Sequence, residues 1–508
     1  LLADYLAGVP QATGLFATAT HPHAQSDRAA ISQTLVDFQQ RLGADERAVA
    51  NARLLADPET LVITVGQQPG LLTGPLYTPY KALTAINLAR ELGRPAVPVF
   101  WAGTDDDDRA EVDHCACWDA ACSLHALHYP REAGVTGQLV GDLPVLPYGE
   151  QVLADFAGMV QGQPYAADTL AVLRETLRAS ADFGEWFCRL LARFFSGMGL
   201  VVCDPRLPVL RAQAAEVLRR ELSSPLATTA AVNERAREIR RLGYHAMLTK
   251  PADLCNCYLL GATRQRIAVQ DGQFLVGEKP YRESELLALL AESPERFIPN
   301  AVLRPVVQEY LFGSTGFVAG PGELGYWAEL QPVFAHLRVD MPRVVVRAAA
   351  TLVPASTARV LHELEIEPLE LLTQFDQVRY RMLAHLQPDA TTQAFTDARV
   401  TLTNVIDDLA QAIGRVDATL EHSARATRQR LANELERLEQ KTLKAVERRS
   451  THAADRLAQA RDVLFPGRGL QERTLNIFGI LARYGFDFPV QLRTLLHGQE
   501  GKHLFVEM

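Results

Sequence analysis

The rhythm of apolar and polar positions changes along the chain. Up to residue 60 the spacing is helical, with 31–41 and 46–55 the better-formed stretches. At 61–65 it gives way to a short, mostly apolar, β-branched run that ends in the turn Gly66-Gln67-Gln68-Pro69-Gly70. Leu83, Ile86 and Ala89 at helical spacing predict a helix from about 79 to 92, with Gly93 placed to cap it. Residues 97–102 read as a second buried strand, so strand, turn, helix and strand follow one another as in a βαβ unit with a parallel sheet. The punctuation recurs as helix 183–195 before strand 200–203, and helix 301–312 before strand 317–319. Helix 323–336 then precedes strand 344–346. Residues 247–276 read as short antiparallel strands around the Asp271-Gly272 turn. The predicted fold class is α/β, a doubly wound parallel core with a small β insertion.

From about 391 to 464 the strands stop and the chain becomes Ala/Leu/Arg/Glu-rich. Leu409, Ile413, Val416 and Leu420 step by 4, 3, 4, and Leu431, Leu435, Leu438 and Thr442 repeat those steps, the spacing of a coiled-coil seam. Gly414 and Asp417 read as a C-cap and an N-cap between two antiparallel helices, the second ended by Phe465-Pro466-Gly467. The predicted domains are a helical segment at 1–60 and an α/β core at 61–385, with insertions at about 205–295. An arm at 386–465 and a helical segment at 466–508 that packs back on the core complete the chain.

Composition narrows the class. A chain of 508 residues, 48% hydrophobic and 22% charged, is not disordered, and its length fits two to four domains. With 51 Lys+Arg against 60 Asp+Glu and no long basic run, a nucleic-acid partner is not expected. The longest apolar runs, at 61–65 and 286–291, fall far short of the ~20 residues of a membrane span. Seven cysteines, an odd number, fit a reducing cytoplasm better than a disulfide framework.

Four constellations are candidates for chemistry. The Gly66–Gly70 turn with Thr73-Gly74-Pro75-Leu76-Tyr77-Thr78 puts backbone N–H groups and a helix start where an open α/β sheet binds ligands, and Lys81 lies one turn on. It has neither a Walker A nor a GxGxxG pattern. Thr104-Asp105-Asp106-Asp107-Asp108 follows the second strand; four carboxylates there call for a cation such as Mg²⁺, or supply a base, or form an exposed loop with Arg109 as partner. His114, Cys115, Cys117, Cys122, His125 and His128 are zinc-type ligands without a finger or ribbon spacing, and zinc is not expected. Gly320-Pro321-Gly322-Glu323 with Tyr326, and Arg304 with Gln308, form a second anion-facing turn, for which Glu323 also suits the helix dipole.

Together these motifs resemble the bacillithiol synthase family, the cysteine-adding enzymes of bacillithiol biosynthesis. The stretch Gly66 to Thr78 carries the resemblance most specifically. Phe100-Trp101 with the acidic loop, Gly243-Tyr244-His245-Ala246, Arg304-Pro305-x-x-Gln308, Gly320 to Tyr326, and Leu470-Gln471-Glu472-Arg473 with Asn476 follow in order over about 60–480. The resemblance implies a Rossmann-like core and a coiled-coil arm that pairs two subunits. It also implies a ligase that joins L-cysteine to glucosaminyl-malate, with ATP activation expected because an amide does not form downhill from a free carboxylate. On this reading Asp105 to Asp108 and Lys81 are catalytic. Gly66, Gln67, Gln68, Gly70, Thr73, Gly74, Tyr77, Thr78, Thr104, His245, Arg304, Gln308, Gly320, Gly322, Glu323 and Tyr326 hold substrate or anion. Gln471, Glu472, Arg473 and Asn476 mark a second place for ATP or ADP where arm meets core. The family's acidic loop usually reads Thr-Glu-Asp-His-Asp, so Asp107 stands where a histidine is usual, and a carboxylate is the weaker base near neutrality. Two other readings fit the same residues: a scaffold acting through its coiled coil, its core binding nucleotide or a small acid, and another sugar- or nucleotide-handling transferase.

Overall fold

The computed structural model describes residues 1–16, 23–135, 137–386, 389–417, 419–449 and 451–508. Parts of the expected N-terminal segment (17–22) and arm (387–388, 418 and 450) lie outside the described residues. The chain forms two units, Leu1–Ala350 with Glu472–Leu504, and Thr351–Gln471 with Phe505–Met508.

The first unit is built on a five-stranded, wholly parallel sheet. Its strands are β1 (Leu61–Gln67), β2 (Ala96–Ala102), β5 (Val201–Cys203), β11 (Gly316–Ala319) and β12 (Arg343–Val346); β3 (His114–Trp118) and β4 (Leu124–His128) form a separate hairpin. The order is β12-β11-β1-β2-β5, so the chain winds outward from β1 through β2 to β5 and then returns to the other side. That reversal between β1 and β11 is the switch point at which doubly wound sheets open a crevice. Continuous apolar runs explain the central strands: Val62, Val65, Val97, Val99 and Phe317 are all at most 1 % exposed, because helices cover both faces.

A second, antiparallel sheet of β6 (Leu254–Leu260), β7 (Arg264–Gln270), β8 (Gln273–Val276), β9 (Lys279–Tyr281) and β10 (Phe297–Pro299) forms the insertion. Asp271 (φ 49°) and Gly272 (φ 77°) make the expected tight turn between β7 and β8. One helical expectation is corrected. Residues 323–336 form not one helix but two, Pro321–Trp327 and Gln331–His336. Pro332 cannot donate to the preceding turn and starts the second helix, and Glu329 in the gap accepts bonds from Met247 N (2.6 Å) and Leu248 N (2.9 Å).

In the second unit, helices Asp389–Gly414 and Leu420–Arg449 run antiparallel, joined by ion pairs Arg399–Glu439 and Arg428–Asp407. The hairpin buries Ile406, Ala424 and Leu443, whereas five positions of the expected seam, Leu409, Val416, Leu420, Leu431 and Leu438, are exposed. The 4-3-4 stripe is real but faces away from the hairpin's own inner contact. Among the described residues no helix is long and apolar enough to cross a membrane.

Candidate functional site

At the C-terminal ends of β1, β2 and β11 the first unit opens a cleft of about 570 Å³. Its floor is backbone. Gly66, Gln67 and Gln68 leave β1, Gly103 and Asp105 leave β2, and Gly320 and Gly322 start the turn after β11. Gly103 N donates to Gln67 O at 2.8 Å and ties the first two ends together.

Lys81, 2 % exposed on helix Tyr77–Glu91, binds the first and third ends to each other. Its ammonium donates to Gly66 O (2.7 Å) and Gln67 Oε1 (2.9 Å), and pairs with Glu323 Oε2 at 2.6 Å. All three N–H groups are thus used. Burial pulls the Lys81 pKa below its ordinary value, against the opposing pull of Glu323. Glu323 also accepts from Gly320 N at 2.7 Å, holding the Gly320–Gly322 turn open toward the cleft.

The loop behind this floor explains Gly70, Thr73, Gly74 and Thr78. They shape it and do not line the cleft. Leu72, Thr73 and Gly74 all have positive φ (48°, 73° and 72°), a run that L-residues resist. Asn476, wholly buried, holds it: its amide nitrogen donates to Leu72 O (2.6 Å) and Gly74 O (2.8 Å). A Cβ on Gly70 would sit 2.7 Å from Gly74 Cα, so only glycine fits there.

The acidic run is largely neutralised from within. Asp105 pairs with Arg211 at 2.9 Å, both buried. Asp106 accepts from Gln68 Nε2 (2.7 Å) and Arg264 Nη2 (3.1 Å), and the same guanidinium pairs with Asp107 while lying 4.7 Å over the Tyr258 ring. Thr104 donates to Asp204 at 2.5 Å. Asp108 is exposed and, like Asp107, stands outside the cleft lining. We expect Asp107→His to keep the fold and to keep product formation within about tenfold, since Asp106 retains Arg264 and an imidazole can still accept. Circular dichroism and a product assay on the variant check this, and complete loss of product would contradict it.

Arg304 and Tyr326 line the cleft together, joined at 2.8 Å. Gln308, four residues on, points into the core and donates to the buried Glu309 carboxylate at 2.8 Å. His245 is exposed on a loop outside the cleft lining. Of the late motif, only Arg473 lines the cleft. Glu472 forms a buried pair with Arg347 at 2.5 Å, and Gln471, in the second unit, bonds both N and O of Leu352. Burial, then the field of Glu111, pushes the Tyr77 hydroxyl up to about 12, partly opposed by Arg473.

Four charged cleft residues were missed from sequence: Glu111, Lys250, Arg264 and Arg347. None sits in a motif. Glu111 follows the acidic run by one short helix, and only the fold brings the other three to the same opening. The His114–His128 region lies elsewhere; Cys115 and Cys117 are buried on β3, and His125 pairs with Asp119 at 3.0 Å. Among the described residues, no group of three His, Cys, Asp or Glu side chains converges as a metal site would.

Two family models cover the chain, "Bacillithiol biosynthesis BshC, N-terminal Rossmann-like domain" over residues 8–348 and "Bacillithiol biosynthesis BshC, C-terminal coiled-coil domain" over 350–508. The chain belongs to the BshC family. Relatives named "Putative cysteine ligase BshC" include that of Salinibacter ruber, 31% identical across 95% of this chain and 89% of the relative. That of Symbiobacterium thermophilum is 32% identical across 94% and 89%, and that of Bacillus cytotoxicus 26% identical across 95% and 91%. The BshC domains match the architecture above: a Rossmann-like parallel core and a coiled-coil unit.

Proposed function

We propose that this member of a family of bacillithiol-biosynthesis ligases joins the carboxyl group of L-cysteine to the amino group of glucosaminyl-malate, with ATP activating the carboxyl. The observation that carries the reading is the charge pattern of the cleft. Arg304, Arg347, Arg473 and Lys250 reach it from four separate stretches of chain, while three of its four carboxylates, Asp105, Asp106 and Glu111, come from the stretch after β2. Both substrates carry carboxylates, and guanidinium forks are the groups that hold carboxylates and phosphates in a fixed orientation.

ATP fits this wall. Arg347 Nε is buried without a partner, and nothing lies within 4 Å of where a Cβ on Gly322 would stand, so an anionic group can approach the backbone there. When bound, ATP supplies a leaving group that a free carboxylate lacks. A divalent cation fits the acidic run less well, because Arg211 already pairs with Asp105, and Arg264 with both Asp106 and Asp107. The chain's own residues do the rest. Lys81 holds the Gly66 carbonyl, the Gln67 side chain and, through Glu323, the Gly320 turn at fixed separation, and Arg304 and Tyr326 orient an anionic group. The stretch Gln471 to Asn476 remains our proposed second place for nucleotide.

The exposed aliphatic stripe Leu409, Val416, Leu420, Leu431 and Leu438 is the face on which we place a second copy of the chain, giving a homodimer.

Incubating the protein with L-cysteine, glucosaminyl-malate and ATP, and weighing the products by mass spectrometry, tests the reading. Bacillithiol formation dependent on all three supports it, and no product under any nucleotide sinks it. Arg304→Ala is expected to raise the KM for glucosaminyl-malate at least tenfold, since a bidentate charged contact is lost. Steady-state kinetics of that variant check the assignment.

A further inference from the structure

An amine that attacks an activated carboxyl must shed a proton, and the expected base, the acidic run, is occupied. The four carboxylates that line the cleft divide unevenly. Asp105 is bound to Arg211, Asp106 to Arg264 and Gln68, and Glu323 to Lys81. Glu111, on the short helix Arg109–Val112, alone among these four has no cation within ion-pair distance among the described residues. Its one side-chain partner is Gln68, the residue that also donates to Asp106 at 2.7 Å. A carboxylate oriented by a neutral amide and left unpaired beside a cationic wall is arranged to accept a proton.

We propose that Glu111 is the general base of the ligation, accepting the proton from the aminosugar nitrogen as that nitrogen attacks the activated cysteinyl carbonyl. The assignment rests on the ligase reading above. The amine enters as free base after losing its first proton to water. Its lone pair forms the C–N bond, and the bond from the carbonyl carbon to the phosphate-anhydride oxygen breaks, the electron pair leaving with the nucleotide- or phosphate-derived group. The second proton passes from nitrogen to the Glu111 carboxylate and then to solvent, so charge and atoms balance with ATP as the only co-reactant.

The surroundings of Glu111 suit the task. It opens to solvent on the cleft side, yet its packing, followed by the fields of Asp108 and Asp106, holds its carboxyl above the usual range, against the bond from Gln68 and the field of Lys81. Tyr77 faces it from helix Tyr77–Glu91, with Arg473 beyond. A raised carboxyl pKa makes the ionised form a stronger proton acceptor.

The test uses two nucleophiles. Hydroxylamine is largely uncharged at neutral pH and attacks activated carboxyls without a base, so it reports activation alone, as cysteine hydroxamate. Glu111→Gln is expected to form hydroxamate at the wild-type rate, to lose about 10²–10⁴-fold in kcat for glucosaminyl-malate with KM little changed, and to lose the acid limb of the kcat–pH profile. Glu111→Asp should keep a measurable part of the rate, with that limb shifted. If Glu111→Gln ligates within twofold of wild type, or loses hydroxamate formation equally, or if Asp108→Asn alone abolishes the acid limb, the assignment fails. If the wild-type protein forms neither hydroxamate nor amide, the ligase reading itself fails.

Discussion

Glu472→Ala is expected to destabilise the first unit by about 3–5 kcal/mol, the range seen when one member of a buried ion pair is removed. Arg347 is 4 % exposed and spends two of its nitrogens on Glu472, at 2.8 and 2.5 Å. Without the carboxylate the guanidinium stays charged, as arginine does in proteins, and at 4 % exposure it gains little hydration in exchange. The loss is therefore the cost of an unpaired buried charge, and larger than the net worth of the pair. Denaturant unfolding of the wild-type and variant chains measures it. Arg347→Met with Glu472→Leu, which removes both charges, should cost far less than Glu472→Ala alone. A double variant as unstable as the single would show that packing, not charge, sets the loss. Because Arg347 also lines the cleft, the double variant should remain folded and lose activity.

Asn476→Ala comes next, at about 2–4 kcal/mol. The side chain caps helix Ile477–Tyr484 by accepting from Phe478 N at 2.9 Å, a contact of about 1 kcal/mol. Its amide nitrogen satisfies the buried carbonyls of Leu72 and Gly74, and each carbonyl left bare costs about 1 kcal/mol or more. The left-handed run at Leu72–Gly74 then loses what holds it, so the effect should exceed a plain cap deletion. Asn476→Asp separates the two roles: it keeps the cap and cannot donate to the loop. If Asn476→Asp is as stable as wild type, the loop contacts carry no energy. Hydrogen exchange at residues 71–78, measured on both variants, locates the damage.

The parallel core could be read from sequence because its strands are short and mostly apolar, and β1, β2 and β11 are each followed by a glycine-containing turn; β1 and β2 needed no tertiary information. The break at Ala328–Leu330 was missed because the apolar rhythm of 323–336 continues through it, and Pro332 also suits the first turn of a new helix. The arm's stripe was found with the right period, but period alone does not say which face closes the hairpin, and Ile406, Ala424 and Leu443 at other positions do so. In the cleft, the glycine turns and Arg304 were legible because backbone approach restricts the residue type. Glu111, Lys250 and Arg264 were not, because a charged residue outside any motif looks alike whether it meets solvent or substrate. Lys81 was found but its use differs: its three donors hold the protein's own backbone and Glu323.

The clamp on the glycine-rich loop comes from a residue far along the chain. The bond from Asn476 to Leu72 O spans 404 residues, and Leu76 N donates to Leu475 O beside it. During synthesis the first βαβ unit leaves the ribosome some 20–80 s before its clamp, at ordinary elongation rates of about 5–20 residues per second. Over that interval the chain has a sheet without a finished binding loop. A chain ending before residue 472 therefore lacks the side chain that holds the carbonyls of Leu72 and Gly74. Ribosome-stalled chains of increasing length, assayed for protection of residues 66–78 from protease, should gain that protection abruptly once Asn476 has emerged.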